Sequence, residues 1–141
     1  MGLCRELGEL VPELQEKAKL FLAECKKEGI DVLIVETYRD NLVQKAYYLQ
    51  GRELLEEVNT ARVFAGLPKI TLKENKKITN TKAGQSKHNI RKAFDCVPLV
   101  NGKPCWTDSA LFKKIGVIGK SVGLKWGGDF KSIKDSPHFE L

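Results

Sequence analysis

Histidine is scarce in this 141-residue chain: it has two, His88 and His138, beside four cysteines and one methionine. The cysteines, Cys4, Cys25, Cys96 and Cys105, form no CxxC pair, and with only two histidines they make no zinc-finger or zinc-ribbon pattern. Reduced structural thiols are expected. Cys96 and Cys105 flank a predicted turn as candidate cross-strand neighbours, but a disulfide between them requires an oxidising compartment. No stretch is long and apolar enough to span a bilayer, and the N-terminal MGLCRELGELVPELQEKAK has no apolar signal core. The expectation is a soluble protein made in the cytoplasm without a signal peptide, which another agent must release if it acts outside. Internal repeats, low-complexity segments and helix-turn-helix, RNA-binding or zinc-finger motifs are also missing, so a nucleic-acid-binding module has little support.

The length fits one domain, large enough to bury a core without disulfide staples. A net charge of +6 and a pI near 9.1 favour acidic partners, either nucleic acid or anionic envelope polymers, and charge alone does not choose between them. Val11, Leu14, Ala18, Leu22 and Cys25 recur at helical spacing, predicting a helix from Val11 to Glu28 that ends at Gly29. Ile30 to Glu36 reads as a buried strand that delivers Thr37-Tyr38-Arg39 to its end, and Asn41 to Leu49 as a second helix. Residues 51–75 form a charged helix-and-loop excursion. A short strand is expected at Lys77 to Thr79, a loop at Lys82 to Asn89 and a strand at Ala93 to Leu99. Asn101-Gly102 then signals a hairpin returning through Pro104 to Trp106. Asp108 is a plausible N-cap for a helix reaching Gly123. Trp126-Gly127-Gly128-Asp129 reads as a polar loop, and Pro137 to Leu141 as a terminal strand. Together these make a helix pair plus a small antiparallel sheet.

Both histidines lie in polar, turn-rich segments near carboxylates: Ser86-Lys87-His88 with Asp95 seven positions on, and Asp135-Ser136-Pro137-His138. A catalytic zinc takes three nitrogen or carboxylate ligands and keeps a fourth position for water, and His88, His138 and Asp95 supply such a set. Two neutral imidazoles and one carboxylate leave the site net positive, which makes water there more acidic. Ligand atoms on one ion lie within roughly 4 Å of each other, whereas seven extended residues span about 23 Å, so the chain must turn between His88 and Asp95. Alternation then sets Asp95 opposite Phe94 and Cys96. Pro137 stiffens the link between Asp135 and His138, holding a carboxylate near a ligand, where it can take a proton from water and return it to a leaving amine.

Ser-x-His-x6-Asp, followed by Trp-Gly-Gly-Asp and Asp-x-Pro-His-Phe, resembles the zinc-dependent peptidoglycan peptidases. These comprise D-alanyl-D-alanine carboxypeptidases and the L-alanoyl-D-glutamate endopeptidases that serve as phage endolysins. The likeness runs from about Leu10 to Leu141 and is poorest over 51–75. It implies an α+β fold of the Hedgehog and D-Ala-D-Ala peptidase type, a small antiparallel sheet packed against helices with one zinc ion at the sheet edge. It also implies His88, Asp95 and His138 as metal ligands and Asp135 as the catalytic acid or base. Arg39, ending Thr37-Tyr38-Arg39, would face the substrate, and Ser86 would contact it. The family pattern usually has glycine in the turn where this chain has Arg91, so altered turn geometry or substrate preference is expected. The implied partner is bacterial peptidoglycan, with no membrane insertion and a monomeric state. The setting implied is host lysis after holin-type release, by a single catalytic domain over 1–141 without a separate wall-binding domain.

Taken singly, each residue has a plainer explanation. His88 or His138 fits a hydrogen-bonded histidine, Asp135 a brace for the final turn, Arg39 an ion-pair partner and Ser86 a loop hydrogen bond. Trp126 and Asp129 fit a buried aromatic and a surface acid. A D-alanyl-D-alanine carboxypeptidase and a non-catalytic zinc-containing wall-binding protein remain open beside the endopeptidase.

Overall fold

The computed structural model describes residues 3–141. Helix α1 (Pro12–Lys27) begins on a proline, whose missing N–H costs nothing in a first helical turn, and ends before Gly29 at φ 75°. Its inward stripe, Leu14, Ala18, Phe21 and Cys25, is wholly buried. Strand β1 (Asp31–Glu36) follows, then α2 (Asn41–Leu49), capped by the Asp40 carboxylate accepting from Val43 N–H, and α3 (Leu55–Phe64). A 3-10 turn at Lys87–Ile90 leads into β2 (Ala93–Val100). Asn101 and Gly102, both at positive φ, turn the chain into the two-residue β3 (Lys103–Pro104). Helix α4 (Ser109–Ser121), with Asp108 accepting from Leu111 N–H, β4 (Lys125–Trp126) and β5 (His138–Glu140) complete the chain.

The sheet is antiparallel in the order β1-β2-β5-β4, with β3 paired to β2. On one face Phe21, Phe94 and Phe139 interlock at centroid distances of 4.8 to 5.8 Å beneath α1 and α4. Burying each such ring contributes about 1.5–3 kcal/mol, which makes this trio the anchor of the two inner strands. A smaller cluster, Val43, Ala46, Ala65 and Leu67, joins α2 to α3. All four cysteines are free thiols, and no helix among the described residues is long and apolar enough to cross a membrane.

Three expectations need correction. β1 is an edge strand and is half-exposed along most of its length. Lys77 to Thr79 is extended but is not a strand. Its neighbourhood is held by side chains instead of a ladder: Arg52 Nη1 donates to Thr79 O at 2.9 Å and Gln44 Nε2 to Thr81 O at 2.6 Å. The return strand after the hairpin is also shorter than expected, stopping at Pro104.

Candidate metal centre and active-site cleft

The register Phe94↔Phe139 and Asp95↔His138 places the aromatic pair in the core and the polar pair on the opposite face of the same two strands. The sheet-edge location thus takes a specific form: the open face of two inner strands, near the end where β2 begins. His88 reaches the same point from its 3-10 turn. Ser86 caps that turn, its Oγ accepting from His88 N–H at 3.2 Å, while Asn89 Oδ1 accepts from Ser86 N–H. Arg39 N–H donates to His88 O, and Asn89 Nδ2 donates to Arg39 O at 2.8 Å, which ties the end of β1 to the ligand turn.

His88 Nε2, Asp95 Oδ1 and His138 Nδ1 stand 3.1, 3.2 and 3.2 Å from one another. They are the cluster among the described residues that is able to hold a metal ion. A tetrahedral zinc with donors about 2.0–2.1 Å away sets neighbouring donors about 3.3–3.4 Å apart, so both spacing and donor chemistry fit one zinc ion. The outer ring nitrogens are engaged too: His88 Nδ1 with Thr37 O at 2.8 Å and His138 Nε2 with Glu140 Oε1 at 2.8 Å. Burial alone would raise the Asp95 carboxyl, but the two imidazoles outweigh it and hold it well below the usual carboxylate range. Burial would lower His138, yet its hydrogen bonds to Asp95 and Glu140 push it up to about 9 in the ion-free site.

Around this point lies a cleft of about 460 Å³ lined by residues that include Arg39, Ser86, Phe130 and Asp135. Asp135 Oδ2 is 3.9 Å from His138 Nδ1, and its side chain is 45% exposed, so it borders the metal point while remaining open to a ligand. Burial and the Asp95 charge raise its carboxyl. Gly127 makes this placement possible: an added Cβ would overlap Asp135 O and lie 2.9 Å from His138 Cβ. Trp126 donates from Nε1 to Ser136 O at 2.8 Å, bracing the same loop, whereas Asp129 pairs with Lys120 at the surface.

Arg39 lies in the cleft wall but is heavily engaged. Its guanidinium pairs with Glu36, donates to Gln44 Oε1 at 2.8 Å and lies 4.7 Å from the Tyr47 ring centre, with Nη2 3.7 Å from Asp95 Oδ2. Burial opposes its charge, but Glu36 and Asp95 more than compensate and raise its pKa.

Glu36, Gln44 and Glu140 escaped the reading of the sequence. Strict alternation sends Glu36 to the core face of Ile34, and it reaches the cleft because the register shifts between Ile34 and Glu36, setting it opposite Asp95. Glu140 was within reach of inference, since two residues after His138 on a strand is the same face. Arg91 takes a left-handed backbone, φ 64° and ψ 27°, the conformation glycine adopts most readily, so arginine here fills a glycine-type turn. Its side chain pairs with Glu9 at 2.8 Å and stacks over Tyr38 at 4.0 Å.

A family described as D-alanyl-D-alanine carboxypeptidase matches residues 79–141, the span that carries His88, Asp95, Asp135 and His138. The peptidoglycan L-alanyl-D-glutamate endopeptidase CwlK of Bacillus subtilis is 28% identical over 143 aligned residues, covering 95% of this chain and 74% of CwlK. Among solved structures, the L-Ala D-Glu endopeptidase ChiX of Serratia marcescens superposes with a TM-score of 0.65 at 19% identity, over 96% of this chain and 82% of that one. The D,D-pentapeptidase VanY of the VanB-type vancomycin resistance cassette, solved with Zn(II), does so at 0.56 and 13% identity, over 94% and 72%. With a zinc-compatible His-Asp-His centre lying inside the matched span, the chain is similar to the zinc-dependent D-alanyl-D-alanine carboxypeptidase and L-alanoyl-D-glutamate endopeptidase family of peptidoglycan hydrolases.

Proposed function

We propose that this chain cleaves the L-alanoyl-D-glutamate bond of peptidoglycan stem peptides. His88, Asp95 and His138 hold the zinc, Asp135 moves the proton and Arg39 contributes positive charge beside the reacting carbonyl. The observation that carries the reading is the convergence of three donor atoms within 3.2 Å, with a partly exposed carboxylate at their border, inside one cleft. The bound ion supplies Lewis acidity that polarises a carbonyl and acidifies water. Asp135 takes the proton of the attacking water and passes it to the leaving amine nitrogen, as peptide hydrolysis requires. Glu36 and Gln44 hold the Arg39 guanidinium in the wall, so Arg39 acts from a fixed position. Ser86 lines the cleft while capping the ligand turn, and its hydroxyl hydrogen is free to meet substrate.

The endopeptidase reading is favoured over terminal D-alanine removal by the shape of the cleft. Beyond Asp135 a second cavity of about 420 Å³ shares Ile78, Thr79, Thr81 and Phe130 with the first and continues between residues 78–81 and 130–135. A substrate that extends on both sides of the scissile bond needs such a continuation. The resemblance to endolysin-type enzymes supports a setting in phage-driven host lysis. Expression inside a bacterium is then expected to leave cells intact until their membrane is permeabilised, and to clear the culture afterwards.

Digestion of purified peptidoglycan by the zinc-loaded protein beside an Asp135→Ala variant, with mass spectrometry of the new ends, tests the assignment. New N-terminal D-glutamate is expected, with a rate lower by about 10²–10⁴-fold in the variant, which should still bind zinc. Free D-alanine would transfer the assignment to a carboxypeptidase. Zinc binding without any cleavage would point to a wall-binding protein.

A further inference from the structure

The two imidazoles of the metal centre are oriented by different kinds of acceptor. His88 presents Nε2 inward, and its Nδ1 is 2.8 Å from the main-chain carbonyl of Thr37. His138 is turned the other way, with Nδ1 inward and Nε2 2.8 Å from the Glu140 carboxylate. A neutral imidazole carries one N–H, and the nitrogen without it offers the lone pair a metal needs. Unless the hydrogen of His138 is held on Nε2, it occupies the nitrogen that faces Asp95 and His88.

We infer that Glu140 is a positioning residue for the metal, holding the ring hydrogen of His138 on Nε2 and fixing the ring plane so that Nδ1 is presented as a ligand. The inference rests on the zinc assignment above. Three observations carry it. Glu140 and His138 stand two apart on β5 and share the open face of the sheet. The Glu140 side chain is 13% exposed, and its hydrogen bond to His138 is the one that side chain makes among the described residues. The main chain of Glu140 is paired with Ala93 and with Lys125, so the strand does not depend on what the side chain bonds. A carboxylate that donates nothing, makes no other side-chain hydrogen bond or ion pair among the described residues and lies behind a ligand has orientation as its natural role.

Three full-length variants separate orientation from charge. Glu140→Ala removes the acceptor, Glu140→Asp keeps the charge but withdraws it by one methylene, and Glu140→Gln keeps an oxygen at the same reach without the charge. Zinc affinity is measured by competition with a chromophoric chelator, and ligand geometry by the visible absorption of the cobalt-substituted protein. Circular dichroism of the metal-free forms checks that each variant is folded. Glu140→Ala and Glu140→Asp are expected to bind zinc about 10–100-fold more weakly, with altered cobalt bands, while Glu140→Gln stays near the native protein in both. Native affinity and native cobalt bands in folded Glu140→Ala would overturn the inference. So would a native-like Glu140→Asp beside a weakened Glu140→Gln, because charge and not orientation would then be at work. If the native protein binds no zinc, the failure belongs to the metal assignment instead.

Discussion

Arg91 sits where a side chain is sterically penalised, and it is held there by partners remote in sequence. Its guanidinium donates to Glu9 Oε1 and Glu9 O, its ring neighbour is Tyr38, and its carbonyl accepts from Val11 N–H at the start of α1. The residue therefore clamps the N-terminal segment to the turn that aims His88. Replacing Arg91 with alanine keeps the left-handed strain and removes the clamp, whereas glycine removes both. Thermal melts are expected to rank native at or above Arg91→Gly, with Arg91→Ala lowest. An alanine variant more stable than the glycine variant would show that the left-handed backbone costs little here.

The pairing of β2 with β5 shows how much one period-two pattern can specify. Phe94 and Phe139 go to the core and Asp95 and His138 to the cleft, so whatever fixes the aromatic ring also fixes the ligand beside it. Helix α4 packs onto this pair through glycine: a Cβ added at Gly119 would lie 2.7 Å from Cδ2 of Phe139 and closer still to Cε2. The ring is enclosed by Phe21 and Phe94 and has nowhere to retreat. Gly119→Ala is expected to lower stability by about 1–3 kcal/mol in denaturant unfolding despite alanine's better helix propensity, and to weaken zinc binding through His138. Unchanged stability would mean the ring yields. The same regularity explains what was legible in the sequence. Helical periodicity and end signals located α1, α2 and α4, and the Asn101-Gly102 turn located the hairpin. The grouping of His88, Asp95 and His138 was readable because order and spacing agreed with a known pattern. Lys77 to Thr79 misled because its composition suits a strand while its partner is the side chain of Arg52. Glu36 was hidden because a register shift, which no alternation pattern announces, turns it into the cleft.

In the molecule as a whole, the three candidate ligands rest on the large core beneath the sheet, while Tyr47 of the facing wall rests on the small α2-α3 cluster. A metal held there would add a further tie between segments that strand pairing already brings together: His88 and Asp95 are 7 positions apart, and Asp95 and His138, opposite each other on β2 and β5, are 43. An ion held by all three is a reversible cross-link, closing one short loop and one long loop that an unfolded chain keeps open. With free zinc at a hundred times its Kd, native-state binding alone contributes about 2.7 kcal/mol, which for a domain of this size raises the Tm by roughly 10 °C. Stripping the ion with a chelator should reverse that rise, and an unchanged melt would show that no ion ties these segments. The consequence reaches beyond chemistry at the cleft: starving the protein of zinc would remove one tie between β2 and β5 and leave strand pairing and the aromatic trio alone to hold that side of the core.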